Sequence, residues 1–439
     1  MHDALDLRDL LADELAQRRV SGYDVAGLDT AVELALGGGG STPLGELLDR
    51  LEQAPRRDDW PYEEPSRLEE ILALLPEPAT APLRLDEGQL RDRLSGAWLG
   101  RCAGCTLGKP VEGWTHEQIR RYLEPAGAYP LLDYVPALPP APAGPELRAC
   151  WPETTRGRIR FVARDDDIDY TILGLHILET HGFGFRPQDV AAEWLDHLPF
   201  AKTYTAERVA YRNLVSGLRP PETTTHRNPY REWIGAQIRA DMWGYVLPGR
   251  PRQAARLAFQ DAALSHAANG IYGAMWSAAL IAACFVASDV RSALVTSLQH
   301  IPPRSRLAEA LGHVLDLHAS GLGWSEARDQ LHARHRQYSW VHTVGNAAIV
   351  AAGLLWGDGD YSRTVGLVVQ AGQDTDSNGA TAGSVFGALH GATALPPAWV
   401  DPLGDLVRSA IVGFDNARIS DLAERTFRLA LRSPVWQAR

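Results

Sequence analysis

The sequence predicts an all-α protein with a helical extension at its N-terminus, and three observations carry that prediction. Long segments from about residue 88 onward place apolar residues at helical spacing, and some are apolar on most faces, as in "GIYGAMWSAALIAACFVA" (270–287) and "HTVGNAAIVAAGLLW" (342–356). Strand-like alternation is scarce. No repeat of solenoid period interrupts the pattern.

In chain order, residues 1–87 read as an N-terminal helical extension and linker. "LDLRDLLADELAQRR" and "PLGELLDRLEQ" are helical patterns, glycines fill 37–40, and "LPEPATAPLRLDEG" is proline-rich. Residues 88–439 read as one catalytic domain. It opens with "LSGAWLGRCAGCTLGKPVEGW" (94–114), where Gly96, Gly100, Gly104 and Gly108 recur every fourth residue, the sign of a helix face packed tightly on a neighbour. This helix runs into a turn carrying a single acid, Glu112, which in isolation reads as a surface acid. The Cys102–Cys105 pair has the spacing of a redox or zinc motif but no second pair, so it reads as core packing. Segment 124–158 is a long proline-rich loop, a length usually functional or disordered inside a domain.

Next comes "VARDDDIDYTILGLHILE" (162–179). Ile168, Ile172, Leu175 and Leu178 follow helical spacing, so Asp165, Asp166 and Asp167 fall at or just before a helix N-terminus, where free N–H groups favour carboxylates. Such a triplet alone describes a well-capped helix with solvated acids. The second acidic cluster, in "VGLVVQAGQDTDSNGATAGSVFGALHG" (365–391), follows an apolar run and precedes a helix whose Ala380, Gly383, Ser384 and Gly387 recur at three- and four-residue steps. Asp374, Asp376 and Ser377 therefore sit deep in the packing. Closely spaced hard oxygens suit Mg²⁺, Mn²⁺ or Ca²⁺ and suit zinc poorly. If the two clusters converge, their charge calls for one or two divalent cations. Between them, Gln237, Arg239, Asp241, His266, Asn269 and His342 are polar residues set among apolar ones, candidates for a pocket or for internally bonded core groups.

Composition narrows the function. A net charge of −11 and a pI near 5.7 argue against a protein whose main work is holding nucleic acid. The N-terminus lacks the apolar stretch of a signal peptide, "MWSAALIAACFVAS" is too short to span a bilayer, and four cysteines are too few for a disulfide framework. A cytoplasmic protein without membrane partners is expected.

Together the three motifs resemble the ADP-ribosylglycohydrolase family. Gly108-Lys109-Pro110-Val111-Glu112 is similar to its "G-x-P-x-E", Asp165-Asp166-Asp167-Ile168 to its "T-D-D-T" metal motif, and Gln373-Asp374-Thr375-Asp376-Ser377-Asn378 to its "G-D-x-D-[TS]-N". The likeness spans roughly residues 90–395, with the motifs in the family's order. Asp165 and Ile168 stand where the family carries threonines; Asp165 can bind a cation and Ile168 cannot. The resemblance implies a compact multi-helix bundle holding two divalent cations, Mg²⁺ or Mn²⁺, in a shell of Asp165, Asp166, Asp167, Asp374, Asp376 and Ser377. It implies a glycosidic hydrolase with Glu112, Asp166 and Asp376 catalytic, and with Asn378, Gln237, Arg239, Asp241, His266, Asn269 and His342 around the substrate. The expected substrate is a small molecule or an ADP-ribosylated acceptor, from which ADP-ribose is released. The alternatives are an N-ribosidase acting on a small metabolite and a non-catalytic metal-binding relative. Arg101, Lys109, Arg164 and Arg239 are the basic residues that a diphosphate would call on.

Overall fold

The four-residue glycine ladder sets the architecture. In the computed structural model, which describes residues 6–40, 42–78, 82–138 and 145–437, the helix Glu87–Gly108 lies antiparallel against the helix Thr375–His390. Gly96, Gly100 and Gly104 face Gly387, Gly383 and Gly379. A Cβ on Gly100 would stand 2.1 Å from the Gly383 carbonyl oxygen, and one on Gly383 would stand 2.0 Å from that of Gly100. The backbones touch, so any side chain at these positions would force the helices apart. The ladder ends where Thr375 Oγ1 donates to the Gly108 carbonyl at 2.8 Å. An antiparallel pair so zipped brings the end of the first helix, with Glu112 just beyond it, to the start of the second, with Asp374 and Asp376.

Local signals fix where these helices begin. Asp86 caps the first through a reciprocal pair, Gln89 N–H to Asp86 at 2.8 Å and Asp86 N–H to the Gln89 side chain at 3.0 Å, an arrangement typically worth about 1 kcal/mol. The apolar segments Asn269–Cys284 and Thr343–Trp356 are helices buried along their whole length. Among the described residues there is no strand, only isolated bridges such as Trp233 with His342 and Thr115 with Gly372. None of the described helices is long and apolar enough to cross a membrane. Cys102, Cys105 and Cys284 are buried free thiols.

The helices Leu7–Val20, Leu28–Leu36, Leu44–Glu52 and Leu68–Leu74 form the N-terminal extension, and the first of them, with Ser21 and Glu64, docks through buried charge. Glu14 accepts from Arg231 at 2.6 Å and Arg18 at 2.5 Å, and Ser21 donates to Glu232 at 2.6 Å. Arg306 bridges Glu64 at 2.9 Å and Glu232 at 2.5 Å. Removing one partner from such a pair leaves a bare buried charge, a cost of about 3–5 kcal/mol. The expected linker reaches into 79–81 and the proline-rich loop into 139–144, both outside the described residues; Arg148 and Ala149, from the rest of that loop, line the cavity described next.

Candidate active site

Both acidic clusters are aimed by strict local geometry. Asp165 takes an extended backbone (φ −147°, ψ 148°) and caps the helix Asp166–His181, its side chain accepting from the Asp167 N–H at 3.0 Å. From the ladder helix, the fully buried Arg101 donates to the Asp167 carbonyl at 2.6 and 3.1 Å, to Asp241 at 2.7 Å and to the Ile238 carbonyl. This guanidinium ties the acidic turn to the ladder. On the other side Gln373 sits at φ 68°, unusual for a residue with a side chain, clamped by Gly113 N–H to Gln373 O at 2.9 Å and Gln373 N–H to Trp114 O at 3.1 Å. The clamp fixes Asp374 and Asp376 beside Glu112.

The acids converge. One oxygen each from Glu112, Asp374 and Asp376 lie within 4.8 Å of one another, and so do one each from Asp165, Asp167 and Asp376. Asp376 belongs to both groups. Ser377 Oγ donates to Asp167 Oδ2 at 3.1 Å, and Asp166 lies on the cavity wall beside them. Burial, then the charge of Asp376, pushes Glu112 up to about 8; burial and Asp165 push Asp166 up to about 7. Asp167 and Asp374 are raised well above the carboxylate range by burial and by neighbouring acids. Asp165 is the exception. Burial would raise it, yet its ion pair with Lys109, helped by Arg164, holds it below its ordinary value.

These groups line a cavity of about 600 Å³, in the range of small-molecule sites. Its wall also contains Arg148, Arg164, Tyr204, Glu207, Trp233, Ile238 and Trp340. Trp233 and Trp340 arrive together because Ile234 N–H bonds the Val341 carbonyl at 2.9 Å, pairing the two segments that carry them. Arg148 comes from the proline-rich loop, its N–H bonded to the Pro110 carbonyl at 2.9 Å and its Nε 3.7 Å from the Glu112 carboxylate. Sequence reading passed over Arg148, Trp233, Trp340 and Tyr204. The one available signal was the unusual length of the loop that delivers Arg148.

The polar residues expected around the substrate lie outside the lining of this cavity. Asp241 is spent on Arg101, and Arg239 on Glu207 and Asp261, both at 2.6 Å. Gln237 accepts from Thr343 Oγ1 at 2.6 Å, and Asn378 donates to Asn346 at 2.7 Å. His266 bonds Ser265 at 2.8 Å. Asn269 donates to Glu64 at 2.8 Å and Glu232 at 2.9 Å, while His342 caps the helix Thr343–Trp356. None of the seven lines the cavity; all are buried and bonded to other protein groups, while Gln237 Nε2, Asp241 Oδ1, His266 Nε2, His342 Nε2 and Asn378 Oδ1 have no hydrogen-bond partner. Of the expected basic residues, Arg101 and Arg239 are likewise structural, Lys109 neutralises Asp165, and Arg164 binds Asp169 at 2.7 Å while still reaching the cavity.

The donor set fits hard divalent cations. Its atoms are oxygens, and Asp167 Oδ1 and Asp376 Oδ1 are buried with no hydrogen-bond partner. Two oxygen groups sharing one carboxylate can hold two ions.

No curated protein matches the chain. A solved structure described as an ADP-ribosylglycohydrolase-related protein complex is similar at 19% identity with a TM-score of 0.49, over 78% of this chain and 99% of its own. The family model for ADP-ribosylglycohydrolase matches residues 86–437, a span that contains both acidic clusters and Glu112. The chain therefore belongs to the ADP-ribosylglycohydrolase family, whose members' chemistry is of the glycohydrolase type.

Proposed function

We propose that the chain is a divalent-cation-dependent glycohydrolase that cleaves a ribosyl bond and releases ADP-ribose from an ADP-ribosylated acceptor. The observation that supports this reading most is the pair of acid groups joined through Asp376 on the wall of one cavity. Asp165, Asp166, Asp167, Asp374, Asp376 and Ser377 would hold two cations, Mg²⁺ or Mn²⁺. Bound there, the cations supply charge that neutralises the acids and positions that grip the vicinal hydroxyls of a ribose.

The chain's own groups supply the rest. Glu112 stands at the cavity beside Asp374 and Asp376; burial, then the charge of Asp376, holds its proton on in the cation-free protein, and cations bound to those acids would offset that charge and leave Glu112 as the carboxylate that can accept a proton. In the proposed step a water oxygen bonds to the anomeric carbon, its proton passes to Glu112, and the ribosyl–acceptor bond breaks with its electron pair leaving on the acceptor. Trp340 and Trp233 offer flat apolar faces to an aromatic ring, and Arg148 and Arg164 offer positive charge to a diphosphate. A second reading, ribosidase action on a smaller metabolite, draws support from Arg101 and Arg239 being committed to buried carboxylates outside the cavity.

The test is Mg²⁺- or Mn²⁺-dependent release of free ADP-ribose from mono-ADP-ribosylated protein, run beside a panel of ribonucleosides, with Asp374→Ala as control. Release that disappears in the variant supports the first reading. Ribose freed only from nucleosides moves the protein to the second, and bound cation without turnover makes it a non-catalytic relative.

A further inference from the structure

A second cluster of ligand-type side chains lies at the far end of the helix Asp166–His181. His176 is ten residues from Asp166, so about 15 Å of helix separates it from the acidic turn. The helix Pro187–His197 packs alongside and presents Glu193 and His197, four residues apart and so on one face. His176 Nε2 stands 3.0 Å from Glu193 Oε2, and His197 Nδ1 stands 2.9 Å from that same oxygen. Ligand atoms about 2.0–2.1 Å from a tetrahedral zinc would stand about 3.3 Å apart, within a few tenths of these spacings.

What turns proximity into a site is the direction of the atoms. Glu193 Oε2, His176 Nε2 and His197 Nδ1 are all buried, and none has a hydrogen-bond partner, although they crowd one another at contact distance. The Glu193 side chain is only 8% exposed. Two ring nitrogens and a carboxylate oxygen lie within 4.8 Å of one another without making hydrogen bonds among themselves, a donor set that one cation could bring together. The other carboxylate oxygen, Oε1, is fixed by His181 Nε2 at 2.7 Å, the kind of outer partner that orients metal-binding carboxylates. We propose that His176, Glu193 and His197 bind a borderline transition-metal cation of the zinc class, at a site separate from the acidic cluster. Two imidazoles and one carboxylate select such a metal over Mg²⁺.

The site would have a structural consequence. The Phe414 ring packs edge-on against His176 with centroids 5.7 Å apart, and Val412 N–H bonds the His197 carbonyl at 3.0 Å. The same segment supplies Ser409 Oγ, which donates to Asp169 at 2.6 Å beside the acidic turn. A cation here would pin that segment against two helices.

The test uses the full chain stripped with chelator, with Co²⁺ as the probe because Zn²⁺ is spectroscopically silent. The wild type is expected to bind one equivalent of Co²⁺ with intense visible d–d absorption of tetrahedral type, displaced by Zn²⁺ and retained in Asp376→Ala. His176→Gln and His197→Gln are expected to abolish the band. His181→Ala is expected to keep it with affinity lowered about 10–100-fold. The proposal is overturned if saturating Co²⁺ gives only weak octahedral absorption, if the band survives both histidine substitutions, or if it vanishes in Asp376→Ala. The wild-type spectrum decides even if a histidine variant does not fold.

Discussion

Gly100→Ala tests the device that brings the acids together. The added Cβ would lie 2.1 Å from the Gly383 carbonyl oxygen and 2.8 Å from its carbon, backbone atoms that cannot rotate away. Ordinary contacts begin near 3.4 Å, so the helices must part by about 1.3 Å or bend. Overpacking of this kind costs about 1–3 kcal/mol. The strain has a functional direction, because the helices also meet at the Thr375–Gly108 bond of 2.8 Å, next to Asp374, Asp376 and Glu112. The assay is paired: chemical denaturation for stability, and Mn²⁺ titration for the acidic site. Gly100→Ala should lose about 1–3 kcal/mol and bind Mn²⁺ more weakly. Gly312, in the helix Arg306–Ala319, is the control, since a Cβ there meets nothing within 4 Å. Gly312→Ala should gain about 0.5–1 kcal/mol and leave the cation affinity alone. Equal stability and equal Mn²⁺ affinity in Gly100→Ala and wild type would refute the reasoning.

Three further outcomes are expected. Lys109→Met strips the partner from Asp165, which is 1% exposed; the cation-free protein should lose about 3–5 kcal/mol, and added Mn²⁺ should restore more of its melting temperature than in wild type. A smaller Mn²⁺ shift than in wild type would count against this role for Lys109. Burial and then Arg252 push His300 down to about 4, so the unfolded chain takes up a proton near pH 6.5 that the native state refuses; stability is lost as pH falls from 6.5 towards 4. At pH 5 this amounts to about 2 kcal/mol, read as the difference between wild type and His300→Gln in denaturation at pH 5 and pH 7.5, and an identical pH response in both would contradict it. Glu112→Gln keeps the shape of the side chain and removes its charge, so kcat should fall about 10²–10⁴-fold with the melting temperature unchanged or raised; turnover near the wild-type rate would remove Glu112 from the chemistry.

The parts of the fold that depend on spacing alone could be read from the sequence. Helical periodicity marks the buried helices, and four glycines at four-residue steps mark a backbone contact, though not its partner. The acids of the three motifs were legible for the same reason, each lying at a helix end that its neighbours define. What the sequence hides is convergence. Arg148, Trp233 and Trp340 reach the cavity from irregular segments joined by isolated bonds, and no periodicity announces such bonds. For Gln237, Arg239, Asp241 and His266 the difficulty is the opposite: a buried polar side chain reads alike whether it faces a ligand or another side chain. The pair Lys109–Asp165 illustrates both points. Lys109 sits inside one motif and Asp165 replaces a threonine in another, and only the packed ladder shows that one charge answers the other.

If Asp376 joins two cation sites, the Mn²⁺ stoichiometry of the wild type and of Asp376→Ala reports it directly. Two equivalents are expected in the wild type, with a loss of affinity at both sites in the variant. Two equivalents bound unchanged by Asp376→Ala, or no Mn²⁺ bound by the wild type, would contradict it.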